Sequence, residues 1–370
     1  MRTFFIALLQ IYFLVLPLYS IAGENLSVPN GDTRHILAAL ARLEVPKELI
    51  NIGKWNEDSF VLLAEKQSQK LYLFDNSYNL IKTFQITTGQ NNGNKERVGD
   101  KKTPEGVYFF TSVKEDKELL PQYGLIAIPI NYPNFFDKLQ GKDGNGIWLH
   151  ATDQPTRPIK PFDTKGCIVA VNEDVLELAR YIKLETTPLV IVDKIEFVPL
   201  EVMKEEDQEA WEFLNKWRKV WEGKNLRDYM SYYSSDFKSR GMDIKAWRKY
   251  KASLNQINSE RKISIRGIKI LRHADNIIAS FIQHYIGEGT NDTGIKRLYI
   301  EDTEDGLKII GEEYTAMPKQ DPSKIADRLS EKLPAASNKQ QTAKREENTS
   351  LQKTSAVNNG ANTEKTSKTK

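Results

Sequence analysis

From Phe60 to Val192 the chain is written as short apolar or alternating runs, each closed by turn residues. Phe60-Val61-Leu62-Leu63, Lys70-Leu71-Tyr72-Leu73-Phe74, Ile81–Ile86, Val107–Thr111, Leu125–Ile130, Gly146–His150 and Pro188–Val192 are too short to bury a helical face. As strands they bury one or both faces of a sheet. Asp75-Asn76-Ser77 between two of them predicts a hairpin, and Gly89 to Gly106 reads as a long polar loop ending in Thr103-Pro104-Glu105-Gly106. The helix expected here is Asn172 to Tyr181, with Asn172 as N-cap and acids in its first turn.

A different pattern follows. Glu205 to Glu222 carries Trp211, Leu214, Trp217, Arg218 and Trp221 at spacings of three and four, an amphipathic helix. Asn225–Tyr233 and Ala246–Gln256 are expected helices. Lys262–Leu271, Asn276–Tyr285, Lys296–Asp302 and Leu307–Tyr314 are expected strands, so helices precede an antiparallel meander in an α+β domain.

The ends differ again. Arg2 followed by the apolar run Phe4–Leu18 and by Ser20-Ile21-Ala22 reads as a signal peptide cleaved after Ala22; the run is short for a membrane span. Export to a periplasm or cell-wall space is therefore expected. Residues 23–57 form a polar segment with a short helix at His35–Leu43. From Pro318 aromatic residues vanish and polar ones dominate, so 317–370 is expected to be a disordered tail. A net charge of +3 without a basic stripe gives no sign of nucleic-acid binding.

The chain has one cysteine, Cys167. In an exported protein it has no partner within the chain, so it is a buried core residue or a thiol in use. It lies in Thr164-Lys165-Gly166-Cys167-Ile168-Val169, behind a glycine that lets the backbone approach a substrate carbonyl. A thiol needs a base to act as a nucleophile at neutral pH. Of the four histidines only His150, at the end of Ile147-Trp148-Leu149-His150-Ala151, lies in the same β-rich segment. No paired-carboxylate, phosphate-loop or zinc-ligand spacing stands out.

A histidine, a loop, then Ser/Thr-x-Gly-Cys-apolar resembles the active-site signature of the L,D-transpeptidase (YkuD-like) family. Gln69–Leu73 resembles its first hairpin, Gly99–Gly106 its Thr-Pro-x-Gly loop, and Asn172–Val175 the helix after its nucleophile. The resemblance covers about 58–195. It implies an enzyme acting without a cofactor on the L,D bond between residues three and four of peptidoglycan stem peptides. Carried over, Cys167 is the nucleophile, His150 the base and Gly166 part of the oxyanion loop. Two positions depart from the family: Ala151 stands where glycine is usual, and Val169 where Arg or Asn is frequent.

Further candidates have two readings each. Lys165 raises the local positive potential or is simply solvated. Trp148, on the face of His150, serves the site or the core. Tyr132 lines the cleft or packs a turn. Asp100 and Glu105 are read as solvated.

Residues 205–316 resemble NTF2-like domains through Trp211, Trp217, Trp221, Tyr229, Tyr232-Tyr233, Asp236-Phe237 and the strand meander. A wall-polymer or partner-binding role is expected for it, and His273 and His284 are read as structural. The combination resembles the L,D-carboxypeptidases that set helical cell shape, so trimming of tetrapeptide to tripeptide is the favoured expectation. The alternatives are 3-3 crosslinking or attachment of proteins to the wall, and a wall-binding protein without activity.

Overall fold

The computed structural model describes residues 44–53, 59–257 and 260–333. The expected signal peptide, the helix at His35–Leu43 and the tail beyond 333 lie outside the described residues.

The β-rich segment builds two sheets. One runs in the order Leu80–Gln85, Lys70–Asp75, Phe60–Glu65, Pro188–Val192, Gly106–Phe109, with Lys70–Asp75 and Leu80–Gln85 forming the expected hairpin. The other has the order Ile168–Val169, Trp148–His150, Ile126–Pro129, Lys114–Glu115. Period two explains the continuously apolar central strands. Leu62, Ala64, Leu189 and Ile191 face the core shared with the second sheet. Val61, Leu63, Val190 and Val192 face away from it, into a second core.

That second core joins the two domains. It is completed by Leu271, Ile278, Tyr299 and Ile310, which belong to the long strands Arg261–His273, Asn276–Gly287, Thr290–Thr303 and Gly306–Ala316. Burying side chains of this kind stabilises by about 1.5–3 kcal/mol each. Phe135 lies over Gly311, where an added Cβ would stand 2.4 Å from its ring. Arg297 pairs with Glu185 at 2.6 Å across the same boundary. The two units are thus fused through a core rather than strung on a linker.

The C-terminal domain is a long helix, Leu200–Glu222, laid on a seven-stranded sheet. Met203, Ala210, Leu214, Trp217 and Trp221 form its buried stripe. Several boundaries differ from the sequence reading, among them the strand expected at Lys296–Asp302, which begins at Thr290. The helix starts before Glu205. The second helix is only Leu226–Met230, capped by Asn225, and Tyr233–Ser239 is a strand parallel to Gly306–Ala316. Asn51–Ile52, expected in a separate N-terminal segment, pairs with Arg261–His273 as an edge strand.

The tail reading is corrected at its start. Pro322–Ser330 is a helix capped by Asp321, and Ala326, Leu329 and Leu333 are buried in the core between the two sheets of the β-rich segment. Arg180–Asp327 at 2.8 Å and Arg328–Glu115 at 2.7 Å fasten it, and Gln320 bonds both backbone groups of Val113. The chain therefore returns from the second domain onto the first. Among the described residues no helix is long and apolar enough to cross a membrane.

Candidate active site

Ile168–Val169 runs parallel to Trp148–His150, with Ile168 opposite Leu149 and Val169 opposite His150. Leu149 and Ile168 point into the core. Alternation therefore turns Trp148, His150, Cys167 and Val169 to the other face. Strand spacing sets the Cα atoms of Cys167 and His150 roughly 8 Å apart, within reach of a side-chain pair.

The turn carrying Cys167 is held from three directions. Thr164 bonds Thr88 and Gln90 through its backbone, and its hydroxyl donates to the Cys167 carbonyl at 2.7 Å. Thr103 of the Thr-Pro-Glu-Gly loop is fully buried; it accepts the Gly89 N–H and donates to the Gly166 carbonyl, both at 2.9 Å. Gly166 has φ +128°, and a Cβ there would stand 2.7 Å from the Lys102 carbonyl oxygen. Only glycine fits this turn. The Gly166 N–H, however, donates to the Thr164 hydroxyl at 3.0 Å. It is therefore already engaged within the turn.

Cys167 is half-buried. Its thiol donates to the Gly146 carbonyl at 3.4 Å and receives the Trp148 backbone N–H. Burial pushes the thiol up to about 11, opposed by the Trp148 N–H and by the charges of Arg157 and Lys95. His150 is buried, and Nδ1 donates to the Ala151 carbonyl at 2.6 Å, which leaves Nε2 as the proton acceptor. Burial lowers its pKa to about 4, against the raising effect of the Ala151 bond. Thiol and imidazole are therefore both neutral at rest.

Ala151 fits because of a glycine elsewhere. Gly124 lies against it, and a Cβ on Gly124 would come within 2.6 Å of the Ala151 Cβ. Asn172 is the first residue of its helix rather than the cap, which is Val171. The Asn172 amide accepts the Leu125 N–H at 3.0 Å and donates to the Thr152 carbonyl at 2.9 Å, tying the helix to the strand of His150.

The other candidates fall out differently. Trp148 stays half-buried, its ring 5.1 Å from Tyr123, which also stands edge-on to His150 at 5.0 Å. Lys165 is exposed. Tyr132 is buried, its hydroxyl donating to the Asp143 carbonyl at 3.1 Å, so it packs the domain and does not line the cleft. Asp100 and Glu105 are not solvated loop charges. Asp100 pairs with Lys95 and accepts the N–H groups of Glu96, Arg97 and Lys102, and Glu105 pairs with Lys66 at 2.7 Å. Tyr123, Gly124 and Arg157 went unnoticed in the sequence, since each reaches the site only through folding. Among the described residues no group of three or more His, Cys, Asp or Glu is placed to hold a metal ion.

Residues 59–192 match the L,D-transpeptidase catalytic domain family, and residues 209–313 match the Cds6 C-terminal NTF2-like domain family. The structure of Bdellovibrio bacteriovorus Bd1075 is 30% identical, with a TM-score of 0.62 over 75% of this chain and 100% of that one. The helical cell shape determining protein Pgp2 from Campylobacter jejuni, solved as a point mutant, is 25% identical, with a TM-score of 0.56 over 72% of this chain and 94% of that one. Comparison with curated proteins finds no match.

Proposed function

This chain belongs to the YkuD-like L,D-transpeptidase family with a C-terminal NTF2-like domain, and we propose that it is an exported L,D-carboxypeptidase that trims peptidoglycan tetrapeptide stems to tripeptides through a thioester on Cys167. The observation that carries the reading is the placement of Cys167 and His150 on one face of adjacent parallel strands. The sequence motif for export supports a periplasmic or cell-wall location.

In the first half-reaction the Cys167 sulfur attacks the carbonyl carbon of the third stem residue, and its proton passes to His150 Nε2. The backbone N–H of Cys167 receives the oxyanion. The C–N bond then breaks, the proton moves to the leaving amine, and D-alanine departs. In the second half-reaction His150 takes a proton from water, water attacks the thioester, and the tripeptide carboxylate leaves as the thiol is restored.

Water is favoured as acceptor by Val169. It is fully buried and exchanges both backbone bonds with Thr87, so it offers no polar group to hold an acceptor amine. The likeness to a helical cell shape determining protein supports a role in cell shape. The NTF2-like domain serves as a binding module for wall material. Purified protein given tetrapeptide muropeptides alone should yield tripeptide and free D-alanine. Predominant dimers joined between third-position residues would instead assign crosslinking.

A further inference from the structure

The sheet that carries His150 ends in a two-residue edge strand, Lys114–Glu115. Lys114 stands opposite Ala127, and Ala127 stands opposite His150. Residues in register on neighbouring strands point their side chains the same way, so Lys114 shares the face of His150. Val113 points the opposite way, into the core with Ile126 and Ile128, and Glu115 lies on that side too.

On the first face the Lys114 ammonium lies 5.9 Å from the centre of the Trp148 ring. Trp148 packs on Tyr123 at 5.1 Å, and Tyr123 stands edge-on to His150. One ammonium and two rings thus form a wall leading to the catalytic histidine. Lys114 is half-buried, and its side chain makes no ion pair or hydrogen bond among the described residues. Two other cations that act on the thiol are committed, Lys95 to Asp100 at 2.7 Å and Arg157 to Asp163 at 3.4 Å. A ring contact leaves the three donors of an ammonium unused.

The opposite face is where the C-terminal helix Pro322–Ser330 fastens. Arg328 pairs with Glu115 at 2.7 Å and Lys332 with Asp116 at 2.6 Å. Gln320 accepts the Val113 N–H at 3.0 Å and donates to its carbonyl at 3.3 Å. Residues 113, 115 and 116 are therefore tied on both sides of Lys114. A strand this short has few ladder bonds of its own, so the helix sets where Lys114 stands.

We infer that Lys114 is a specificity residue that binds a free carboxylate of the stem peptide, and that the C-terminal helix positions it. This rests on the proposed peptidoglycan reading. The strand of Lys114 lies three spacings, roughly 14 Å, from the strand that follows Cys167. The side chain leans back over part of that span to Trp148, and an extended residue covers about 3.5 Å. The ammonium therefore meets a group about two residues from the bond that is cut, not the D-alanine carboxylate beside it. Two groups of a stem peptide fit: the side-chain carboxylate of a diacidic third residue, and the backbone carboxylate of a second residue linked through its side chain.

The test is calorimetric titration of the full-length Cys167→Ala protein with four tetrapeptide stems. One has all carboxylates free, and the others are amidated at the third-residue side chain, at the second residue or at the terminal D-alanine. One of the first two amides should bind roughly tenfold more weakly than the free acid, and which one does so identifies the carboxylate. Adding Lys114→Met should remove that difference, and Lys114→Arg should restore it. In the Cys167 protein, Lys114→Met should raise KM for the free stem roughly tenfold and lower kcat far less. Gln320→Met with Arg328→Met, checked by circular dichroism, should weaken the free stem and spare the discriminated amide, whereas a general loss of structure would weaken both. Equal binding of the free stem and both amides, or discrimination that survives in a folded Lys114→Met protein, would overturn the assignment of Lys114 and leave the trimming reaction standing. Stems that neither bind nor turn over would overturn both.

Discussion

Burial pushes the Cys167 thiol up to about 11 and the His150 imidazole down to about 4, so neither group carries charge in the resting protein near pH 7. A raised thiol pKa means that thiolate accumulates only above it. Alkylation of free Cys167 should therefore climb steadily from pH 6 to pH 10, and a plateau near pH 6 would reveal a standing thiolate–imidazolium pair instead. In the mechanism we propose, proton transfer accompanies attack, with His150 as general base. His150→Ala should cost roughly 10²–10⁴-fold in kcat/KM, and Cys167→Ala should remove turnover while leaving the melting temperature nearly unchanged. Thr103→Val tests the support beneath. It keeps the shape but strands the Gly89 N–H and the Gly166 carbonyl, at about 1–3 kcal/mol for each buried group. Both thermal stability and kcat should drop in this variant, and an unchanged kcat would show that the turn holds without Thr103. The sequence exposes Cys167 and His150 because each is alone of its kind in the β-rich segment. It does not expose Tyr123 or Gly124, whose meaning arises only when the turn at Pro121–Tyr123 packs beside the strand of His150.

Among the elements, the central strands Phe60–Glu65, Pro188–Val192 and Gly106–Phe109 are readable because alternate residues face one core and the other, which leaves unbroken apolar runs. The helix Pro322–Ser330 was missed for a compositional reason. Ile325, Ala326, Leu329 and Leu333 form a helical stripe behind an aspartate cap and a proline at the first position, but the polar residues that follow mask it when the whole tail is averaged. Leu329→Asp places an unpaired carboxylate in the catalytic-side core. It should destabilise the protein by at least about 2–5 kcal/mol, read as a lower urea midpoint. A midpoint unmoved by this change would mean that the helix does not dock in solution. The expected helix Asn225–Tyr233 stops at Met230, and Tyr233 instead opens the strand Tyr233–Ser239, whose pairing with Gly306–Ala316 overrides the local preference.

Among the described residues the two domains share a core across their boundary. Arg297 lies 4.0 Å over the Phe109 ring and is paired with Glu185, both within the shared boundary. Arg297→Met strands the Glu185 carboxylate and should cost about 3–5 kcal/mol. Calorimetry of the native chain should show a single transition, and two resolved transitions would contradict a common core. The central claim nevertheless concerns one bond. The protein is incubated with tetrapeptide muropeptide, quenched in acid within the first turnovers and digested for peptide mass mapping. The account predicts a tripeptidyl adduct, acid-stable and hydroxylamine-labile, on the peptide containing Cys167, absent from Cys167→Ala. Tripeptide product formed by a Cys167→Ala protein that never carries the adduct would contradict it.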